Sequence, residues 1–113
     1  MRIWLAVVLA VFNLAMVVVS NVSLKFSALS ANWRGFLAWQ VAGNLAGFAG
    51  VLSFTLLLRQ LPLNMAYALS AGLGFVLVEV IGARLIFHEA ISVAQWLGVT
   101  LVTAGIVLIF QGR

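Results

Sequence analysis

Glu79 is the only acidic side chain inside a long apolar run of this sequence. A carboxylate in hydrocarbon is costly unless it is paired, hydrated or protonated, and intramembrane acids mark proton or substrate paths. Two readings follow. Glu79 is a proton or cation site facing a polar cavity, or it is half of a structural ion pair. Arg84 lies five residues on, about 140° round a helix turning ~100° per residue, so a pair between these two is awkward. A basic residue from another helix or another copy would serve better.

Other polar groups sit at similar depth. Asn13, Asn21 and Asn44 have side chains whose ordinary use in lipid is hydrogen bonding between helices. Asn21 and Lys25 are four residues apart and share a helix face, so the amide is placed to orient the ammonium. Lys25, Arg59 and Arg84 near span ends suit lipid phosphates, or snorkel to the headgroups. The His88-Glu89 pair precedes the last apolar run, where a carboxylate suits a helix N-terminus.

Much chemistry is excluded. The chain has no cysteine, one histidine and two glutamates, so neither a disulfide nor a dedicated metal site is expected. Six basic residues are scattered without a patch, which argues against nucleic acid as a partner despite the pI near 11.4. No nucleophile–base–orienter set or phosphate-cradling glycine loop is present, and an enzyme would rest on Glu79 and His88 alone. The expectation is a non-enzyme without a cofactor.

The elements that position these residues are membrane spans. Residues 3–24, 35–58 and 90–112 carry no charge, and residues 60–83 carry only Glu79. About 20 apolar residues in a helix cross the bilayer, and backbone in lipid must satisfy its own hydrogen bonds. An all-α membrane protein of four transmembrane helices follows, as one domain over residues 1–113 with helices near 3–23, 35–58, 63–87 and 93–110. The apolar run after Arg2 is too long for a signal peptide and reads as a retained first helix. The polar insert 25–34 is the one loop with room to wander. Pro62 suits the first turn of the third helix.

Small residues lie in stripes. Gly43, Gly47 and Gly50 mark the second helix, and Ser70, Gly72 and Gly74 the third. Such stripes allow close backbone contact or leave space for a ligand, and the third-helix cluster is the better candidate for ligand space and for a bend. Charge placement sets no orientation. Arg2, Arg59 and Arg113 gather on one side, and Lys25, Arg34 and Arg84 on the other. This balance suits two copies paired in opposite orientations, or an orientation fixed by a partner.

Several segments carry a resemblance. Asn21-Val22-Ser23-Leu24-Lys25, the run Leu61 to Leu69, Phe87 to Ser92, Gln95-Trp96-Leu97-Gly98 and the run Ala104 to Leu108 resemble the drug/metabolite transporter superfamily, in its four-helix branch with the small multidrug resistance proteins. Tyr67, Gly72 and Gly74 match that branch. Its exporters carry an essential helix 1 glutamate where this chain has Val17, and a tryptophan where it has Ser70. A neighbouring branch also lacks the glutamate: small subunits proposed to flip 4-amino-4-deoxy-L-arabinose-phosphoundecaprenol across the bacterial inner membrane. That similarity implies a multi-pass inner-membrane flippase subunit for a polyprenyl-phosphate-linked sugar, a glycolipid precursor of the lipopolysaccharide type. It implies a homodimer or a heterodimer with a similar small subunit, among membrane lipids. Lys25 and Arg84 would attract phosphate; Asn13, Ser70, Glu79 and Tyr67 would line the site and bond the sugar or its amine. The alternatives are a proton-coupled exporter of small cations or metabolites using Glu79, and an accessory subunit that transports nothing.

Overall fold

The computed structural model describes residues 2–112, with the Arg2 side chain left aside. Arg113, assigned above to the terminal side, lies outside the described residues. Four helices follow in order: α1 (Arg2–Leu29), α2 (Trp33–Leu57), α3 (Leu63–Ile86) and α4 (Val93–Gln111). Each is long and apolar enough to cross a membrane, and no strand occurs among the described residues. The chain is a multi-pass membrane protein.

The first connection is shorter than the sequence suggests. Lys25 to Leu29 continue α1, leaving residues 30–32 as the link. Serine chemistry explains the extension. The Ser30 hydroxyl donates back to the Phe26 carbonyl (2.9 Å), and the Asn32 side chain accepts from the Gly35 amide (2.8 Å) to cap α2. The loop expected to wander is therefore a tight corner. Pro62 stands just before α3 rather than in its first turn. Ser92 and Gln95 cap α4 reciprocally, so its N-terminus needs no carboxylate.

Apolar burial gives no drive for association in lipid, so the α1–α2 seam must be held otherwise. Three side chains at heptad spacing do it. Asn13 donates to the Gly50 carbonyl (2.9 Å), Ser20 to the Gly43 carbonyl (2.9 Å) and Ser27 to the Phe36 carbonyl (2.7 Å). Donors advance by seven as acceptors recede by seven, the repeat of an antiparallel left-handed pair. Gly43 makes the approach possible, since a Cβ there would meet Leu24 at 3.0 Å and the Ser20 carbonyl at 3.3 Å. Asn13, Ser27, Gly43 and Gly50 are buried in this seam. The second helix thus uses its glycines for close contact inside one chain.

Helices contact one another along the row α2, α1, α3, α4, giving extents of 48 × 34 × 18 Å. α3 is held from both sides at neighbouring positions. Gly74 packs on Val17 of α1, and Gly72 on Ile106 of α4, where a Cβ would come within 2.6 Å of the isoleucine tip. Gly72 thus serves packing on α4, whereas Gly74 packs on Val17 and also lines a cavity between α1 and α3 with Ser70 and Ala71. Within α3 the backbone widens into π-helical turns at Ala68–Leu73, which contains Gly72, and at Val78–Ile86, turns of a kind that recurs at functional sites.

Candidate functional site

The groove between α1 and α3 holds the charged chemistry. Its first cavity, about 250 Å³, is lined by Asn21, Val22 and Lys25 of α1, Val78, Glu79, Gly82 and Ala83 of α3, and Phe87 and Glu89 beyond it. A second cavity of about 320 Å³ shares Asn21 and Val78 and continues to Val17, Ser70, Gly74 and Phe75. The π-helical turn Val78–Ile86 carries Glu79, and buried Gly82 packs on Val22, which brings the turn against α1.

Lys25 Nζ lies 3.6 Å from Glu89 Oε2, with the two side chains 45% and 48% exposed. This is the one ion pair among the described residues. A pair so exposed stabilises the fold by only ~0–1 kcal/mol, so a ligand can separate it at little cost. Glu89 reaches it through an unusual corner. His88 has φ 54°, the left-handed region that ends helices, and the Glu89 amide donates to the Ala83 carbonyl (2.8 Å). Phe87 packs its ring 4.9 Å from Phe26, which stacks on Trp39 at 4.8 Å. These rings pin α1, α2 and the end of α3 together beside the cavity.

Of the residues expected at a site, Lys25 and Glu79 share the first cavity, and Ser70 lines the second. Asn13 lines neither. It is 3% exposed, with its amide spent on the Gly50 carbonyl, so the structure moves it from substrate contact to the α1–α2 seam. Arg84 is exposed and lines neither cavity, and no ion pair joins it to Glu79. The phosphate contact expected of it therefore finds no place in either groove cavity of one chain. Tyr67 is 63% exposed and lines a separate cavity of about 590 Å³ with Phe54, Leu63 and Asn64. Asn21 donates to the Val17 carbonyl (2.8 Å) instead of orienting Lys25, though both line the first cavity. Asn44 bonds within its own helix, to the Gln40 carbonyl at 2.7 Å.

Glu89 is the residue that sequence reasoning missed. Its place before the last span suggested a helix-terminal charge, and the Ser92 cap removes that use. The available signal was the short corner after Phe87, which keeps Glu89 at the same membrane edge as Lys25.

The site therefore offers one ammonium and two carboxylates at the mouth of a groove whose deeper wall is mostly apolar. The comparisons with known proteins agree with this setting. The family described as Small Multidrug Resistance protein matches residues 2–102. The chain is 42% identical over 80 residues to the "Probable 4-amino-4-deoxy-L-arabinose-phosphoundecaprenol flippase subunit ArnE" of Aeromonas salmonicida, covering 70% of this chain and 68% of that one. It is 39% identical over 89 residues to the protein of the same name from Pseudomonas fluorescens, covering 71% and 76%. It is also 38% identical over 77 residues to the "Multidrug resistance protein EbrB" of Bacillus subtilis, covering 67% and 65%. A second Aeromonas relative, from Aeromonas hydrophila, is spanned over 60% of its length. No solved structure matches. With four spans and a family match over residues 2–102, the chain belongs to the Small Multidrug Resistance family of membrane transporters.

Proposed function

We propose that this chain is one subunit of a two-chain carrier that moves a polyprenyl-phosphate-linked amino sugar between leaflets of the bacterial inner membrane. The observation that carries the reading is the Lys25–Glu89 pair, loosely held in a cavity that also holds Glu79. Lys25 supplies a cation for phosphate, and the two carboxylates supply acceptors for an amine or sugar hydroxyls. A groove open along its side lets a lipid tail remain in the bilayer while the head passes. The ArnE relatives carry this substrate in their names and support the choice.

A second chain would close the site. Pockets that hold a drug-sized ligand bury most of its surface, whereas the two groove cavities, of about 250 and 320 Å³, lie open along the groove. The free surface of α4 suits the pairing. Gly98 and Gly105 have open space where a side chain would stand, whereas Gly43, Gly47 and Gly50 of α2 face α1 residues. The partner is a second copy or a similar small subunit. A second reading, proton-coupled export of a small cation, draws on Glu79 in the cavity and on the EbrB likeness.

Binding of an undecaprenyl-phosphate amino sugar and of a quaternary amine, in Lys25→Ala and Arg84→Ala proteins, separates the two. A hydrogen bond to a charged group contributes ~1.5–3 kcal/mol, so Lys25→Ala should weaken the lipid sugar roughly ten- to hundredfold. Arg84→Ala, outside the groove, should change it little. Binding of the amine alone, tightened by Lys25→Ala, overturns the lipid-sugar reading.

A further inference from the structure

The backbone that carries α3 into its last corner is wound wider than an α-helix. Hydrogen bonds in the π-helical turn Val78–Ile86 run to the carbonyl five residues back, and the Phe87 amide still donates to the Gly82 carbonyl (3.0 Å). The Glu89 amide reaches six residues back, to the Ala83 carbonyl (2.8 Å), across His88 at φ 54°. Among the described residues only His88 has a positive φ. A side chain keeps such a backbone only where its surroundings hold it there, and these positions recur at clamps and switches.

Two contacts with α1 hold it. Phe87 packs on Phe26 with ring centroids 4.9 Å apart, and Glu89 pairs with Lys25 at 3.6 Å. Both residues lie beyond the end of α3 and both wall the first cavity, so residues 87–89 cross the mouth of the α1–α3 groove. The segment has a ready alternative. An α-helix bonds each amide to the carbonyl four residues back, so continuing α3 in that form would give the Ala83 carbonyl to Phe87 and the Leu85 carbonyl to Glu89. Both amides keep a partner in either arrangement, as backbone beside hydrocarbon requires. Over the nine residues of Val78–Ile86, about 2.5 turns of ~3.6 residues would replace roughly two wider ones. That rotation of about half a turn carries Phe87 and Glu89 off α1.

We propose that residues 87–89 form a strap that closes the groove mouth, and that a phosphate arriving at Lys25 releases it. The anion takes the ammonium from Glu89 and leaves the carboxylate beside a like charge, so the left-handed turn at His88 loses one of its two supports. The Phe26–Phe87 contact then holds the strap alone. Opening of the mouth is in this way tied to the presence of the group to be carried. The proposal rests on the transport reading for its purpose and on Lys25 as the phosphate contact, but not on the identity of the sugar. Its trigger is a phosphate, borne by a lipid or free in water.

The sequence has no cysteine, so a single pair can be introduced. Phe26→Cys/Phe87→Cys protein is treated in native membranes with a short, reducible, thiol-specific crosslinker. Adding Glu89→Gln or His88→Val should slow coupling at least tenfold, whereas His88→Gly, which suits a left-handed turn, should leave it unchanged. Undecaprenyl phosphate in the membrane should slow coupling at least threefold. Inorganic phosphate should slow it less if the lipid is the source, and equally if the anion alone suffices; either result sustains the release. Coupled protein should transport at least tenfold more slowly than the same protein after reduction. Should the reduced pair transport nothing, Val78→Cys decides. A membrane-impermeant thiol reagent must enter by the mouth, and should label Val78→Cys at least threefold faster with His88→Val than with His88→Gly. Equal coupling in every background, full transport by the coupled protein, or equal labelling of Val78→Cys overturns the strap. Coupling that neither phosphate slows overturns its release. A strap that phosphate releases, in a protein that moves no lipid-linked sugar, would stand while the substrate proposed above fell.

Discussion

Removing the three seam donors tests the fold and the site together. Asn13→Ala, Ser20→Ala and Ser27→Ala each delete one hydrogen bond to an α2 carbonyl, and Ser27→Ala also removes the acceptor of the Gln40 amide (3.2 Å). Those carbonyls lie inside α2, so each keeps the intrahelical bond that its position provides and none is stranded. The cost should then follow the membrane average of ~0.6 kcal/mol per interhelical bond, with an upper value of ~1.7 kcal/mol. Asn13 is 3% exposed and also loses packed volume, so it should be the largest of the three. Sites seven residues apart are separated by ~10 Å along α1, which predicts near-additive effects and about 2 kcal/mol for the triple variant. Equilibrium unfolding in mixed micelles, titrated with a denaturing detergent, measures each value. Transport per folded molecule should be unchanged in Asn13→Ala, because that side chain touches Gly50 and neither groove cavity. A triple variant losing less than ~0.5 kcal/mol would refute the seam. An Asn13→Ala protein of parental stability without transport would return Asn13 to the substrate.

The groove and the α3–α4 contact give further expectations. Glu79→Gln keeps shape and hydrogen bonding, and Glu79 has no cationic partner among the described residues, so the variant should melt as the parent does and lose at least tenfold in transport. A lowered melting point would reveal an ion pair within the assembly, and parental transport would make Glu79 a bystander. Gly72→Ala places a methyl 2.6 Å from Ile106 Cδ1, an overpacking worth ~1–3 kcal/mol that Ile106→Ala in the same chain should partly relieve. Parental unfolding of Gly72→Ala would mean that α4 does not pack on α3 there.

How far the sequence could be read depended on which physical constraint acted at each residue. The spans were legible because hydrocarbon admits few alternatives: runs without charge must be helices, and their lengths follow from bilayer thickness. The α1 extension was not, because Lys25, Ser27 and Ser30 look like loop residues until their partners are known. Ser27 has its bond to the Phe36 carbonyl, and Ser30 its bond to its own helix. Lys25 and Glu79 could be chosen from their depth and charge alone. Glu89 could not, since its partner depends on the left-handed turn at His88, a conformation that side chains beyond glycine seldom adopt. Asn13 and Asn44 show the same limit from opposite sides. Identical side chains at comparable depth take different roles, one spent on an α2 carbonyl and the other bonded to its own helix. Only the packing of helix on helix distinguishes them.

That packing also bears on what a missing acid does to a transporter of this kind. Val17 occupies the position where the resemblance to exporters implies a glutamate, and it lines the deeper cavity with Gly74, Phe75 and Val78. Ser70 and Asn21 are the polar groups left at that depth, and neither carries charge. The fixed charges stand further along the groove, with Glu79, Lys25 and Glu89 in the first cavity. A small cation crossing the membrane needs a counter-charge that stays with it at depth, where desolvation is most expensive. A head group tethered to a lipid has a different need. It must be collected at the membrane edge, from a surface where phosphate is abundant, and then carried past neutral donors and acceptors. One ammonium with two carboxylates at the mouth, followed by an amide and a hydroxyl within, meets the second requirement better than the first. The exchange of Glu89 for phosphate at Lys25 would begin such a transfer, because the exposed pair gives up only ~0–1 kcal/mol when it opens.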